Sequence, residues 1–152
     1  MSAVPFLMVI EDSPEDFASL QRAARKINLK VHLELFEDGD SALDYLLDHG
    51  QDRAAWPQFI LLDLNLPGTD GREVLHELKA HPHLRSIPVL VLTTSTNPRD
   101  IGDSYRHGAN CYLAKPVRFE EMVHMLRLIQ AFWLGTVVLP TRDPAPARHL
   151  SV

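Results

Sequence analysis

The chain has 152 residues, 45% of them hydrophobic and 23% charged, a formal net charge of −5 and a single cysteine, Cys111. That length supports one domain with its own core, the single thiol excludes an intrachain disulfide, and the acidic balance without a basic stripe argues against a nucleic-acid partner. No apolar run approaches the ~18 residues of a membrane span, and the N-terminus has no basic region, so the expectation is a cytoplasmic protein with no membrane association.

In chain order, Phe6 to Ile10 is a continuously apolar run that stops at Glu11-Asp12. Ser13-Pro14-Glu15-Asp16 reads as a helix start, with Ser13 as N-cap and Pro14 at the first helical position. Phe17, Leu20, Ala24 and Ile27 follow at helical spacing. Val31, Leu33 and Leu35 alternate with polar residues, the pattern of a half-exposed edge strand. Leu43, Leu46 and Leu47 mark a second helix closed by Gly50. Phe59 to Leu62 is another apolar strand, and Val74, Leu75 and Leu78 stripe a third helix starting near Asp70. Ile87 to Leu92 is a buried strand, Asn97-Pro98 opens a fourth helix that Gly108 stops, and Cys111 to Leu113 is a short fifth strand. A last helix spans about Arg118 to Leu134. Five apolar strands alternating with five amphipathic helices predict an α/β fold, a doubly wound parallel sheet covered on both faces. Ligands of such folds bind beyond the C-terminal strand ends.

The residues at those ends are Glu11 and Asp12, Asp63, Thr93 and Thr94, and Lys115-Pro116. Three carboxylates gathered there repel, at ~5 Å and an effective dielectric of ~20 by about 3 kcal/mol per pair. Lys115 offsets part of this, and a hard divalent cation such as Mg²⁺ offsets more. Carboxylates, a hydroxyl and an ammonium around a Mg²⁺ site point to phosphoryl chemistry with a carboxylate nucleophile.

The acid pair in VIED, the DLNLPGTDG segment, the LTTS strand end and the AKP turn stand in this order, with 30 residues from Asp63 to Thr93 and 22 from Thr93 to Lys115. In these motifs the chain resembles the receiver domain of two-component response regulators, from residue 4 to about 134. LTTSTNPRDI, KPVRFEEM and the FWL…VVLP ending resemble the single-domain regulators that serve bacterial and cyanobacterial phytochromes. The resemblance implies a flavodoxin-like sheet of order 2-1-3-4-5. It implies that Asp63 accepts a phosphoryl group from a phosphohistidine of a sensor histidine kinase. Asp12, Asp63 and the Asn65 backbone carbonyl would bind Mg²⁺, with Glu11 reaching it through water. Lys115 and Thr93 would hold phosphoryl oxygens, and Tyr112 would turn inward as Thr93 moves. Pro116 would follow a cis peptide that aims Lys115. Thr94 stands where many receivers carry alanine, which puts the dephosphorylation rate in question.

The division expected is a receiver domain over 1–134 and a C-terminal extension over 135–152, an arm or a disordered tail too short for a DNA-binding output domain. Phe119, Met122, Val123, Leu126, Ile129 and Trp133 stripe one face of the last helix. Met125, Leu128 and Phe132 form a second apolar stripe that a single surface helix does not need. The expectation is a homodimer built on that helix and the following arm, the competing reading being that the arm folds back over the second stripe. Signalling would run by protein contact or phosphorelay. The alternative function is a Mg²⁺-dependent aspartyl-nucleophile phosphohydrolase of the haloacid dehalogenase type. That chemistry needs an acid two residues after the nucleophile, and Asn65 stands there. A flavodoxin-like electron carrier fits less well, because acids follow the first strand where a phosphate loop belongs.

Overall fold

The computed structural model describes residues 4–141. Five strands, β1 (Phe6–Ile10), β2 (His32–Phe36), β3 (Ile60–Leu62), β4 (Val89–Thr93) and β5 (Cys111–Ala114), form one sheet. Its order is β2-β1-β3-β4-β5 and every pairing is parallel. Five helices alternate with them: α1 (Pro14–Lys26), α2 (Gly39–Asp48), α3 (Gly71–Ala80), α4 (Pro98–Arg106) and α5 (Phe119–Ile129). A wider, π-type turn over Gln130–Leu134 continues α5, so the last helical run ends where the apolar pattern stops.

The sheet divides its side chains between two cores. Phe6, Met8, Ile10, Ile60, Leu62, Val89 and Val91 pack with Leu43 and Leu46 of α2 and Val74, Leu75 and Leu78 of α3. Leu7, Val9, Phe59, Leu61 and Leu90 pack with Leu20 and Ala23 of α1 and Met122, Val123 and Leu126 of α5. Adjacent residues of one strand serve opposite faces, both dry, which is why β1, β3 and β4 read as unbroken apolar runs. Strand β2 at the edge is only half covered, as its alternation predicted. In α2, Leu43 and Leu46 are buried whereas Leu47 stays half exposed.

Helix ends follow local chemistry. Ser13, Asp38 and Asn97 each accept a backbone N–H from the first turn of α1, α2 and α4, the usual way of satisfying donors that have no intrahelical partner. Helix α4 is the least anchored, with Ser104 its one buried residue.

After α5 the chain turns back at Gly135. The Thr136 and Val137 amides both donate to the Phe132 carbonyl, at 3.1 and 2.9 Å. Leu139 is buried in the α1/α5 core and Val137 lines it. Met125 packs at the edge of that core, yet Leu128 and Phe132 remain 58% and 52% exposed. The start of the arm therefore folds back without covering the second stripe. Residues 142–152 of the expected tail lie outside the described residues.

Candidate functional site

Strand register assembles the site. Ile10 is level with Leu62, so Glu11 and Asp63, each one residue further on, emerge side by side. Thr93 ends β4 level with Ala114, which delivers Lys115 next to it. The Lys115 amide donates to the Thr93 carbonyl at 2.8 Å, holding the two strand ends together. Gly71 closes the far side: its amide donates to the Leu64 carbonyl at 3.0 Å, folding the 64–70 loop back so that α3 starts directly behind Asp63.

Asp63 is 6% exposed, and each hydrogen bond it accepts suits an anion. Its Oδ1 accepts the Thr93 hydroxyl at 2.9 Å and the Asn65 amide at 3.1 Å, and its Oδ2 accepts Lys115 Nζ at 2.8 Å. Burial works to raise its pKa, but the Lys115 ammonium, the Asn65 amide and the Thr93 hydroxyl outweigh it and hold the carboxyl below its ordinary value. Asp63 is thus ionised at neutral pH, as a nucleophile must be. Glu11 goes the other way. Burial pushes it up to about 7 despite its contact with Lys115, and the Asp63 charge adds to the rise. Lys115 donates to Glu11, to Asp63 and, at 2.8 Å, to Asp16 Oδ2. Burial opposes its charge, but these three carboxylates raise its pKa above the ordinary lysine value. Its Nζ is the only positive charge that the described ion pairs bring to this cluster.

Glu11, Asp12 and Asp63 each offer an oxygen, the three lying within 4.8 Å of one another. Asp12 is exposed at the mouth, and the other two are buried. An all-oxygen donor set with excess negative charge and an open side suits a hard cation that keeps several waters, which fits Mg²⁺. A cavity of about 270 Å³ runs from Glu11, Asp63, Thr94 and Lys115 down between α1 and the β5–α5 loop.

The strand-end residues expected from the sequence do converge. Tyr112 lies half-buried beside them, its hydroxyl donated to the Ser95 carbonyl at 2.8 Å. One expectation fails: the Lys115–Pro116 peptide is trans, and no described peptide bond is cis. The long lysine stem reaches all three carboxylates from a trans peptide. His81 Nδ1 accepts the amides of His83 and Leu84, both at 3.1 Å, and shapes a turn.

Two groups went unread in the sequence. Asp16 looks like an ordinary first-turn acid, and only the tertiary fold brings it to Lys115. Arg72 is the second. It donates to Asp70 and, at 3.0 Å, to Asp100, whose other oxygen accepts the Ser95 hydroxyl at 2.6 Å. This chain of bonds ties the starts of α3 and α4 to the β4–α4 loop that Tyr112 also holds.

A five-stranded parallel sheet of this order, with an acid pocket, a hydroxyl and a lysine at its C-terminal edge, is that of a phosphoacceptor module. The chain belongs to the response regulator receiver domain family, whose sequence profile matches residues 7–127. Response regulator Rcp1 of Synechocystis is 42% identical over 135 residues, covering 88% of this chain and 92% of that one. The crystal structure of its Mn²⁺-bound form covers 90% of this chain and 99% of that one, with a TM-score of 0.79. The structure of the phosphorylated cyanobacterial phytochrome response regulator RcpA is 40% identical, covers 91% of this chain and 99% of that one, and has a TM-score of 0.81. A probable methanogenesis regulatory protein of Methanothrix harundinacea, FilR2, is 39% identical over 94% of this chain and 90% of its own. The protein is a response regulator of the receiver type. Among its described residues no helix is long and apolar enough to cross a membrane.

Proposed function

We propose that this response regulator takes a phosphoryl group on Asp63 from a phosphohistidine of a sensor histidine kinase, in Mg²⁺-dependent fashion, and signals in the cytoplasm by protein contact or phosphorelay. The observation that carries this reading is the buried, ionised Asp63 carboxylate clasped by Thr93 and Lys115 beside the Glu11–Asp12 pair. An Asp63 oxygen forms a bond to phosphorus while the P–N bond breaks, and its electron pair stays on that nitrogen of the imidazole, whose other nitrogen carries the ring proton, so the ring leaves neutral. Lys115 and the Thr93 hydroxyl, released from Asp63, take phosphoryl oxygens. A cation held by Asp12, Asp63 and the Asn65 carbonyl, with Glu11 behind, would neutralise charge between the acids and the incoming phosphoryl group. The drawn-in Thr93 leaves room into which Tyr112 turns, exchanging its bond to Ser95.

Likeness to the phytochrome response regulator RcpA supports a phytochrome kinase as the donor; FilR2, similar to a like extent, is named as a probable methanogenesis regulatory protein. Residues 1–134 are read as the receiver and 135–152 as its extension. The exposed Leu128 and Phe132, with Met125 beside them, are read as the face of a homodimer. The protein is read as a signalling partner, with no turnover of a separate substrate. The phosphohydrolase alternative is not favoured, because Asn65 is exposed and its side chain is no acid.

Intact mass after incubation with acetyl phosphate and Mg²⁺ tests the reading. One phosphoryl group is expected on the wild type, none on Asp63→Asn and none without Mg²⁺. A phosphorylated Asp63→Asn protein would refute the assignment.

A further inference from the structure

Asp16 carries an inference that rests on the phosphoacceptor reading and deepens it. In a helix that opens Ser-x-x-acid, the acid at the third helical position ordinarily reaches back to the amide of the N-cap residue. Here Ser13 Oγ does accept the Asp16 amide, at 3.2 Å. The return bond is made by a different residue: the Ser13 amide donates to Glu11 Oε2 at 3.2 Å. The Asp16 carboxylate is left out of the cap. It leans across the cavity to Lys115 Nζ at 2.8 Å, joining α1 to the β5–α5 loop, with 99 residues between the partners.

The ammonium has three donors, and the three carboxylates take them all: Glu11, Asp16 and Asp63. Two of these acids belong to the metal-competent set Glu11, Asp12 and Asp63, and Asp16 stands outside it. When a cation draws on Glu11 and Asp63, and Asp63 goes on to become an acyl phosphate, two of the three bonds on Lys115 are called away. Asp16 is the partner that nothing else claims. Its side chain is 45% exposed, so water reaches the oxygen that Lys115 does not use.

We propose that Asp16 is a positioning residue, which anchors the Lys115 ammonium over the site while Glu11 and Asp63 are engaged by the cation and the phosphoryl group. Lys115 then presents its vacated donor to the phosphoryl oxygen from a fixed place. Without Asp16 the side chain is free to swing out through the cavity mouth once the metal site fills.

Two readouts on Asp16→Asn test this. The first is acetylation of Lys115 by an N-hydroxysuccinimide ester, followed by peptide mass mapping. Wild-type Lys115 is expected to be protected with and without Mg²⁺. In Asp16→Asn it stays protected in metal-free protein, where Glu11 and Asp63 still hold it, and is labelled several-fold faster once Mg²⁺ is added. The second is phosphorylation by acetyl phosphate. Loss of one charge-assisted hydrogen bond should slow the saturated rate by about tenfold, with the Mg²⁺ half-saturation point within about twofold of wild type, and Asp16→Glu should restore most of the rate. An acid that only favours the N-terminal end of α1 would shift thermal stability and neither readout. Unchanged labelling in the presence of Mg²⁺, or an unchanged saturated rate, overturns the anchor. A wild type that takes up no phosphoryl group removes the phosphoacceptor reading instead, and the labelling alone then decides whether Asp16 holds Lys115.

Discussion

Two lysines in this protein lie in carboxylate or carbonyl cages, and their surroundings set them apart. Lys115 meets three acids, so its charge is stabilised and permanent. Lys79 meets none. In the last turn of α3, its Nζ donates to the carbonyls of Arg85 and Ile87, at 3.1 and 2.9 Å, and to Asn110 Oδ1 at 3.1 Å. Asn110 Oδ1 also accepts the Val89 amide at 2.9 Å, so one lysine pins the end of α3 to the start of β4 and the approach to β5. Burial pulls the Lys79 ammonium down to about 8. The folded chain thus releases this proton before the unfolded chain does. Between about 8 and the ordinary lysine value of 10.5 the unfolded state binds more protons, and the contribution of Lys79 to stability rises with pH. Denaturant melts of wild type and Lys79→Met across that range should diverge in favour of the wild type by about 1–2 kcal/mol, after allowing for solvent screening. Parallel curves would mean that the ammonium is solvated as well in the fold as outside it.

At the scale of elements, the site depends on how closely α3 approaches the end of β3. Gly71 opens that helix, and a Cβ there would lie 2.1 Å from the Asp63 carbonyl oxygen and 2.6 Å from the Leu64 Cα. Both obstacles are backbone, which no rotamer change relieves. Gly71→Ala should therefore cost about 3 kcal/mol or more and displace Asp63 from Thr93 and Lys115. The check is a thermal melt together with the acetyl phosphate reaction: both should fall. A fully stable Gly71→Ala that still phosphorylates would show that α3 can withdraw without disturbing the site. The contrast with α4 is instructive. With one buried side chain, that helix is held mainly by the Arg72–Asp100 pair and by Tyr105, whose hydroxyl accepts the Tyr112 amide at 3.1 Å. An element tied by a few polar bonds can be re-set by small changes at Thr93.

For the whole molecule, the question is how a local charge becomes a signal. To swing a two-state element from 1:99 to 99:1 takes about 5.5 kcal/mol of differential interaction. In the proposed reaction, bonds from Thr93 and Lys115 to the phosphoryl group, at about 1.5–3 kcal/mol each, would contribute to this less what the two groups give up on leaving the free carboxylate. The fold leaves apolar side chains uncovered beyond α5. Leu139 folds into the core at 4% exposed, whereas Val138 is 87% exposed and stands with Leu128 and Phe132 outside it. Wild type is expected to be dimeric at micromolar concentration by multi-angle light scattering. Leu128→Glu with Phe132→Glu should make it monomeric with its circular dichroism spectrum unchanged, and its melting temperature should lose the concentration dependence expected of the dimer. A monomeric wild type, phosphorylated or not, would dispose of the dimer.

Strand count and the strand-end acids were legible because a doubly covered parallel strand must be apolar throughout, so the first polar residue after it marks its C-terminal edge; the strand order came only with the resemblance to receiver domains. Phe6–Ile10 followed by Glu11, and Ile60–Leu62 followed by Asp63, are two such boundaries. Thr93 and Lys115 were placed at the ends of the fourth and fifth strands by the same pattern, and the roles expected of them came from the resemblance to receiver domains. What the sequence could not contain was the meeting of residues far apart in the chain. Asp16 and Lys115 are separated by 99 residues, Arg72 and Asp100 by 28, and neither pair leaves a periodic trace. The fate of the segment after α5 was equally open, because Val137, Val138 and Leu139 are alike in hydropathy. Only the packed α1/α5 face, which takes in Leu139 and leaves Val138 outside, decides which of them is core.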